Sequence, residues 1–258
     1  MLPSFFLAHG APLLAVQNNE YTDFLRELPR HLPRPRAIVL FSAHWLADEQ
    51  RIGGADTYET IHDFSGFPDE LYDIKYPAKG SMETAAEVLA LLEKEGVSCR
   101  IDKERGLDHG AWVVLKLLYP QADIPVVAMS VNPRLVPEEH YRIGRALSSL
   151  RQKDVLIIGS GGTVHNFRKI SWNRKTPDEW ALEFDSWLND HLQQWDLPAL
   201  FEYEKWAPYA TDAVPPQGNE HFIPLLYAMG AAADVKQAWL MYRGYAYGSL
   251  SLCCWRFG

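Results

Sequence analysis

Cysteine is nearly absent from this 258-residue chain: there are three, and two of them, Cys253 and Cys254, are neighbours. An odd count at that spacing excludes a disulfide framework and a paired CxxC metal site. No stretch reaches the roughly 20 consecutive apolar residues that a membrane span requires. The apolar start, MLPSFFLAHGAP, lacks the basic flank of a secretion signal. A cytoplasmic protein is the expectation. Positive charge is also in short supply. The formal net charge is -8, and no run of basic residues could neutralise a line of phosphates, which sets nucleic acid aside as a partner.

What is present is an ordinary globular composition, with 47% hydrophobic and 22% charged residues, enough for a sizeable core and too apolar for disorder. A single catalytic or binding domain over 1–258 fits that length. Strand-like apolar runs at 3–8, 36–43, 97–101, 124–130, 154–160, 235–241 and 248–255 alternate with helical periodicity at 19–31, 81–95, 110–118, 137–151, 177–194 and 219–230. In the segment 81–95, Ser81 is a plausible N-cap, Ala85, Val88, Leu89 and Leu92 recur at helical spacing, and Gly96 marks the stop. This alternation predicts an α/β fold, with a central, mostly parallel mixed sheet covered by helices on both faces. Ligands in such folds collect beyond the carboxyl ends of the strands. The stretches 55–80 and 198–218 read as long loops, which in a compact domain usually carry function.

The histidines give that crevice its chemistry. His9 (AHG), His44 (AHW), His109 (DHGAW), His165 (TVHN) and His221 (NEHF) stand at the edges of the expected elements, and His9 and His44 each close a strand. Imidazole is the commonest metal-binding side chain, and strand-end loops bring distant residues together. His31, His140 and His191 fall within helical segments among charged neighbours and read as solvated. His62, in IHDFSGFP, serves either substrate or a turn. The run GSGGTVHN matches neither GxGxxG nor a P-loop, and Ser160 lacks the GxSxG context because Ile158 stands where glycine is needed. Its glycines are read instead as letting the backbone approach a ligand while His165 is aimed at it.

Six ordered blocks, AHGAP, FSAHW, IHDFSGFPDELYDIKYPA, GLDHGAWVVL, IGSGGTVHN and NEHFIPLLYAMGAA, resemble the class III (LigB-type) extradiol ring-cleavage dioxygenases, most closely the bacterial 4,5-DOPA branch. The resemblance spans nearly the whole chain. It implies a non-haem Fe(II) enzyme that opens a catechol ring beside its two hydroxyls with O2. Carried over, His9, His44 and His221 are the metal ligands. His165 is a further ligand or the acid-base residue, and His109 is a second catalytic histidine that does not bind the metal. Better-known members use a glutamate as third ligand, and here Glu220 adjoins His221; neighbouring helical residues point about 100° apart, and His221 is chosen as in the DOPA-type branch. Phe64, Phe67 and Tyr72 are expected to flank the substrate ring, with His62 or Asp63 meeting its polar parts. The absence of a basic cluster near these motifs favours a zwitterionic or uncharged catechol side chain. An all-histidine site also suits Zn(II), which binds such donors more tightly than Fe(II). The rival functions are a zinc-dependent hydrolase and a non-catalytic binding module on the same fold.

Overall fold

Alternate side chains of the run 38–41 enter opposite sides of one sheet. Ile38 and Leu40 join Trp112 and Leu115 in one core, while Val39 and Phe41 join Val88, Ile143 and Tyr227 in another. Burial on both faces is why the run is continuously apolar in sequence. The computed structural model describes residues 1–258. Its strands are β1 (Ser4–Ala8), β2 (Ala37–Leu46), β3 (Gln50–Gly53), β4 (Cys99–Asp102), β5 (Val126–Val131), β6 (Val155–Gly161), β7 (Ala238–Tyr242), β8 (Tyr245–Ala246), β9 (Leu250–Ser251) and β10 (Cys254–Phe257). Eight of them form one sheet in the order β4-β3-β5-β2-β6-β1-β10-β7, and β8 pairs with β9 separately. The centre, β5-β2-β6-β1, is parallel, while β10 runs antiparallel to both β1 and β7. The α/β architecture expected from the periodicity is therefore the one observed.

The helices are α1 (Glu20–Glu27), α2 (Met82–Lys94), α3 (His109–Leu118), α4 (Pro137–Ala146), α5 (Glu179–Gln194), α6 (Leu197–Phe201), α7 (Tyr203–Trp206), α8 (Ala210–Ala213) and α9 (Ile223–Ala231). Residues of α1 and α3 share a core with Phe5 and Leu7, those of α2, α4 and α9 with Val39 and Phe41, and those of α5 and α9 with Phe6. Strand β3 escapes a hydrophobic reading because its first residue is a buried glutamine, whose Nε2 donates to the Ser130 carbonyl at 2.5 Å. The stretch 198–218, expected to be loop, contains α6, α7 and α8, each too short to show a helical period. His31 is exposed and His191 is half-buried beside Asp196. His140, however, is buried, its Nδ1 2.9 Å from the Tyr227 hydroxyl. Its charged neighbours Glu138 and Arg142 lie on the outer side of α4, whereas His140 shares the inner side with Tyr141, Ile143 and Gly144.

Candidate active site

Three central strands end at the same crevice. His9 follows the last residue of β1, and His44 lies near the end of β2, in the irregular stretch where β2 loses its register with β5. These two strands are not neighbours, since β6 runs between them. Ser160 of β6 occupies the intervening space, its hydroxyl 3.1 Å from His9 Nδ1. His221 arrives from the other side of the sheet on a single 3-10 turn, Asn219–His221, that leads into α9. A Cβ on Gly161 would stand 2.1 Å from the His221 carbonyl oxygen, and one on Gly159 would stand 2.0 Å from that of Pro224. Gly159 and Gly161 thus admit the backbone of Pro224 and His221 against β6 rather than a ligand, which corrects the reading from sequence for these two glycines. The Gly162 N–H then donates to the His221 carbonyl at 2.8 Å.

The three imidazoles turn the same atom inward. His44 Nε2 is 3.1 Å from His9 Nε2 and 3.2 Å from His221 Nε2. Each Nδ1 faces an oxygen: Ser160 Oγ for His9, Glu220 Oε1 at 3.1 Å for His221, and Asp63 Oδ2 at 3.4 Å for His44. Ser160 gives its one hydroxyl proton to the Gly110 carbonyl at 2.5 Å, so toward His9 it is an acceptor. With protons on Nδ1, three Nε2 lone pairs converge, an arrangement that is unfavourable without a cation among them. At a metal–nitrogen bond of about 2.1 Å, this spacing is that of neighbouring donors set near right angles on one side of an ion. The donors therefore fit a metal. Burial, followed by the neighbouring imidazoles, pushes His9 and His221 well below the usual histidine range. Burial likewise lowers His44 to about 3, although Asp63 opposes the shift. Neutral imidazole is the form that coordinates. Glu220, raised by its own burial, stands behind His221 at its Nδ1 rather than among the converging nitrogens.

His165 and His109 lie against this group. Two groups of potential donors each lie within 4.8 Å of one another, His9, His44 and His221 in one and His44, Asp63 and His109 in the other, and His165 is in neither. His165 stacks on His221 with centroids 3.5 Å apart, and burial lowers it to about 4, below the ordinary value that its sequence context suggests. His109 is the first residue of α3, which Asp108 caps by accepting the Ala111 N–H at 3.1 Å. Asp63 Oδ1 accepts both the backbone N–H and the Nδ1–H of His109 at 2.9 Å. Burial alone would raise Asp63, but these bonds from His109 outweigh it and hold the carboxyl at about 2.

A cavity of about 350 Å³ opens beside the cluster, bounded by His44, Asp63, His109 and His165 on one side and by Phe64, Phe67, Phe167, Ile170, Trp172 and Tyr247 on the others. Of the substrate contacts expected from sequence, Phe67 and Asp63 line it, Asp63 with both oxygens turned to histidines. His62 and Tyr72 do not. His62 donates through Nε2 to the Ile74 carbonyl at 3.1 Å, and both rings pack on Phe64 from outside the cavity. Sequence reading missed Phe167, Trp172 and Tyr247, and missed Ser160 as a histidine partner. It also overlooked four basic residues directly after TVHN: Arg168, Lys169, Arg174 and Lys175. Arg168 and Lys169 line a polar groove of about 770 Å³ that shares His165 and Phe167 with the aromatic cavity.

Residues 3–251 match the family described as the catalytic LigB subunit of aromatic ring-opening dioxygenase. The chain belongs to this family. It is 40% identical to the 4,5-DOPA dioxygenase extradiol of Beta vulgaris over 98% of this chain and 96% of the relative. With the protein of the same name from Escherichia coli (strain K12) it shares 37% identity over 100% of this chain and 95% of the relative. A crystal structure of the uncharacterized protein JW3007 from Escherichia coli K12 superposes with a TM-score of 0.84 at 32% identity, covering both chains in full. As a LigB protein, the chain is an extradiol ring-opening dioxygenase whose substrates are a small aromatic molecule and O2. No helix is long and apolar enough to cross a membrane.

Proposed function

We propose that this LigB protein is an Fe(II) enzyme that opens the ring of DOPA, or of another 4-substituted catechol, between carbons 4 and 5. Both atoms of O2 enter the product, the 4,5-seco semialdehyde. The observation that carries this reading is the convergence of three Nε2 atoms beside a cavity walled by aromatic rings and two further imidazoles. In it, His9, His44 and His221 hold the metal. When bound, ferrous iron brings catecholate and O2 together and passes electron density from ring to oxygen.

The remaining residues bind substrate and move protons. Phe64, Phe67 and Trp172 flank the catechol ring and exclude water. His165, neutral at pH 7, takes the proton of a catechol hydroxyl on a ring nitrogen and returns it as the ring opens. His109 keeps its Nδ1–H on Asp63, which leaves the Nε2 lone pair to accept a hydrogen bond or a proton from a substrate oxygen in the cavity. The groove beyond His165 and Phe167 suits an amino-acid tail. Arg168, which makes no ion pair, meets the carboxylate, whereas Lys169 beside it is already paired with Asp212 at 2.7 Å.

The test is a comparison of kcat/KM for DOPA, catechol and protocatechuate on iron-loaded protein. DOPA should lead, and Arg168→Gln should raise its KM more than that of catechol. A preference for protocatechuate would contradict the assignment.

A further inference from the structure

One carboxylate serves two histidines that have different tasks. Asp63 Oδ1 accepts the backbone N–H and the Nδ1–H of His109, each at 2.9 Å, while Oδ2 faces Nδ1 of His44 at 3.4 Å. The two rings are in contact, with centroids 4.0 Å apart. Asp63 belongs to the loop that also supplies Phe64 and Phe67 to the cavity wall, and Phe64 meets the His109 ring edge-on at a centroid distance of 5.7 Å.

We propose that Asp63 is a positioning residue that sets the tautomer of both His44 and His109 and pins the aromatic wall of the cavity to the metal-binding histidine. A carboxylate offers only acceptors. Beside it, each imidazole keeps its proton on Nδ1 and presents Nε2 as a lone pair, to the His9–His221 group from His44 and to the opposite side of the ring from His109. Ser160 and Glu220 perform the corresponding task for His9 and His221, but each faces one imidazole. Asp63 alone spans a histidine inside the converging set and one outside it, so disturbing it acts on metal affinity and on turnover together.

Asp63→Asn separates this role from a structural one, because the side chain keeps its shape. The amide oxygen can still serve His109 through its two 2.9 Å contacts. The amide nitrogen then faces His44 Nδ1 as a donor and favours the tautomer that carries hydrogen on Nε2, which cannot coordinate through that atom. The proposal rests on His44 being a metal ligand. Zn(II) alone, titrated into metal-free protein against a chromogenic chelator, should show a Kd about 10- to 100-fold weaker for Asp63→Asn than for wild type, the usual cost of losing a group that orients a ligand. At saturating iron, kcat for DOPA should fall more than KM rises, and Asp63→Glu, with both acceptors restored, should recover part of the metal affinity. A Zn(II) Kd within twofold of wild type for Asp63→Asn overturns the proposal, as does a rise in KM alone, which would make Asp63 a substrate contact. Binding of two ions per chain overturns it too, since His44, Asp63 and His109 would then be ligands of a second metal. Should wild-type protein bind no metal, the ligand assignment itself is wrong, a result distinct from all of these.

Discussion

His165 lies flat on His221, with ring centroids 3.5 Å apart and planes 6° from parallel. The stack places a neutral, half-buried imidazole directly beside a proposed metal ligand while leaving it outside the 4.8 Å groups of donors. As the proposed acid-base group, a residue so placed would act in the transition state, whereas a ligand is needed in the resting enzyme. His165→Ala should therefore keep most of its iron and its catechol affinity while kcat falls by roughly 10²- to 10⁴-fold. His44→Ala should lose bound iron. Metal content and single-turnover rates after anaerobic loading check both, and equal metal loss in the two variants would make His165 a fourth ligand.

Gly161→Ala tests how the third histidine is seated. The new methyl would press on the His221 carbonyl at 2.1 Å, and the Gly162 N–H bond to that carbonyl leaves it little room to withdraw. Overpacking of this kind costs about 1–3 kcal/mol. The variant should unfold at lower denaturant concentration and bind metal more weakly than wild type. Unchanged metal affinity would show that His221 is not held by this contact.

Asp108→Ala should damage the other side of the crevice. The carboxylate caps α3 and accepts from Ser42 Oγ at 2.5 Å and from Arg105 at 3.3 Å, so its removal leaves buried donors without an acceptor just where His109 begins the helix. A loss of about 2 kcal/mol is expected, together with a lower kcat at saturating iron. Chemical denaturation and steady-state kinetics provide the two readings.

His140 makes the fold sensitive to acid independently of the metal site. Burial lowers it to about 4 from an unfolded value of 6.5. Below 6.5 the unfolded chain takes up the proton more readily than the native one. The stabilisation is thus complete above pH 6.5 and is lost as the pH falls from 6.5 towards 4, amounting to about 3 kcal/mol. Stability measured against pH should fall less steeply in this window for His140→Gln, by about one proton. Identical slopes would mean that His140 is not held neutral in its pocket.

Much of this arrangement was legible in the sequence where one physical signal dominated. The apolar runs of β1, β2, β5 and β6 announce strands buried on both faces, and His9 and His44 stand at the ends of two of them. Legibility failed where the deciding partner is remote in sequence. Asp63 reads as a polar loop residue until His44 and His109 are seen against it, and Ser160 reads as a failed nucleophile until His9 is seen beside it. His140 was misjudged because its sequence neighbours lie on another side of the helix. The basic residues from Arg168 to Lys175 are visible in the sequence, but only the structure shows that the first two, Arg168 and Lys169, line the groove proposed for the substrate tail.

The central claim is that three converging imidazoles hold an iron that brings O2 to a catechol, and oxygen consumption tests it most directly. With iron-loaded protein and DOPA, an oxygen electrode should record one O2 consumed per ring opened, and the same protein loaded with zinc, or the His44→Ala variant, should consume none. Ring-opened product formed without oxygen uptake, or by the zinc-loaded protein, would contradict the account.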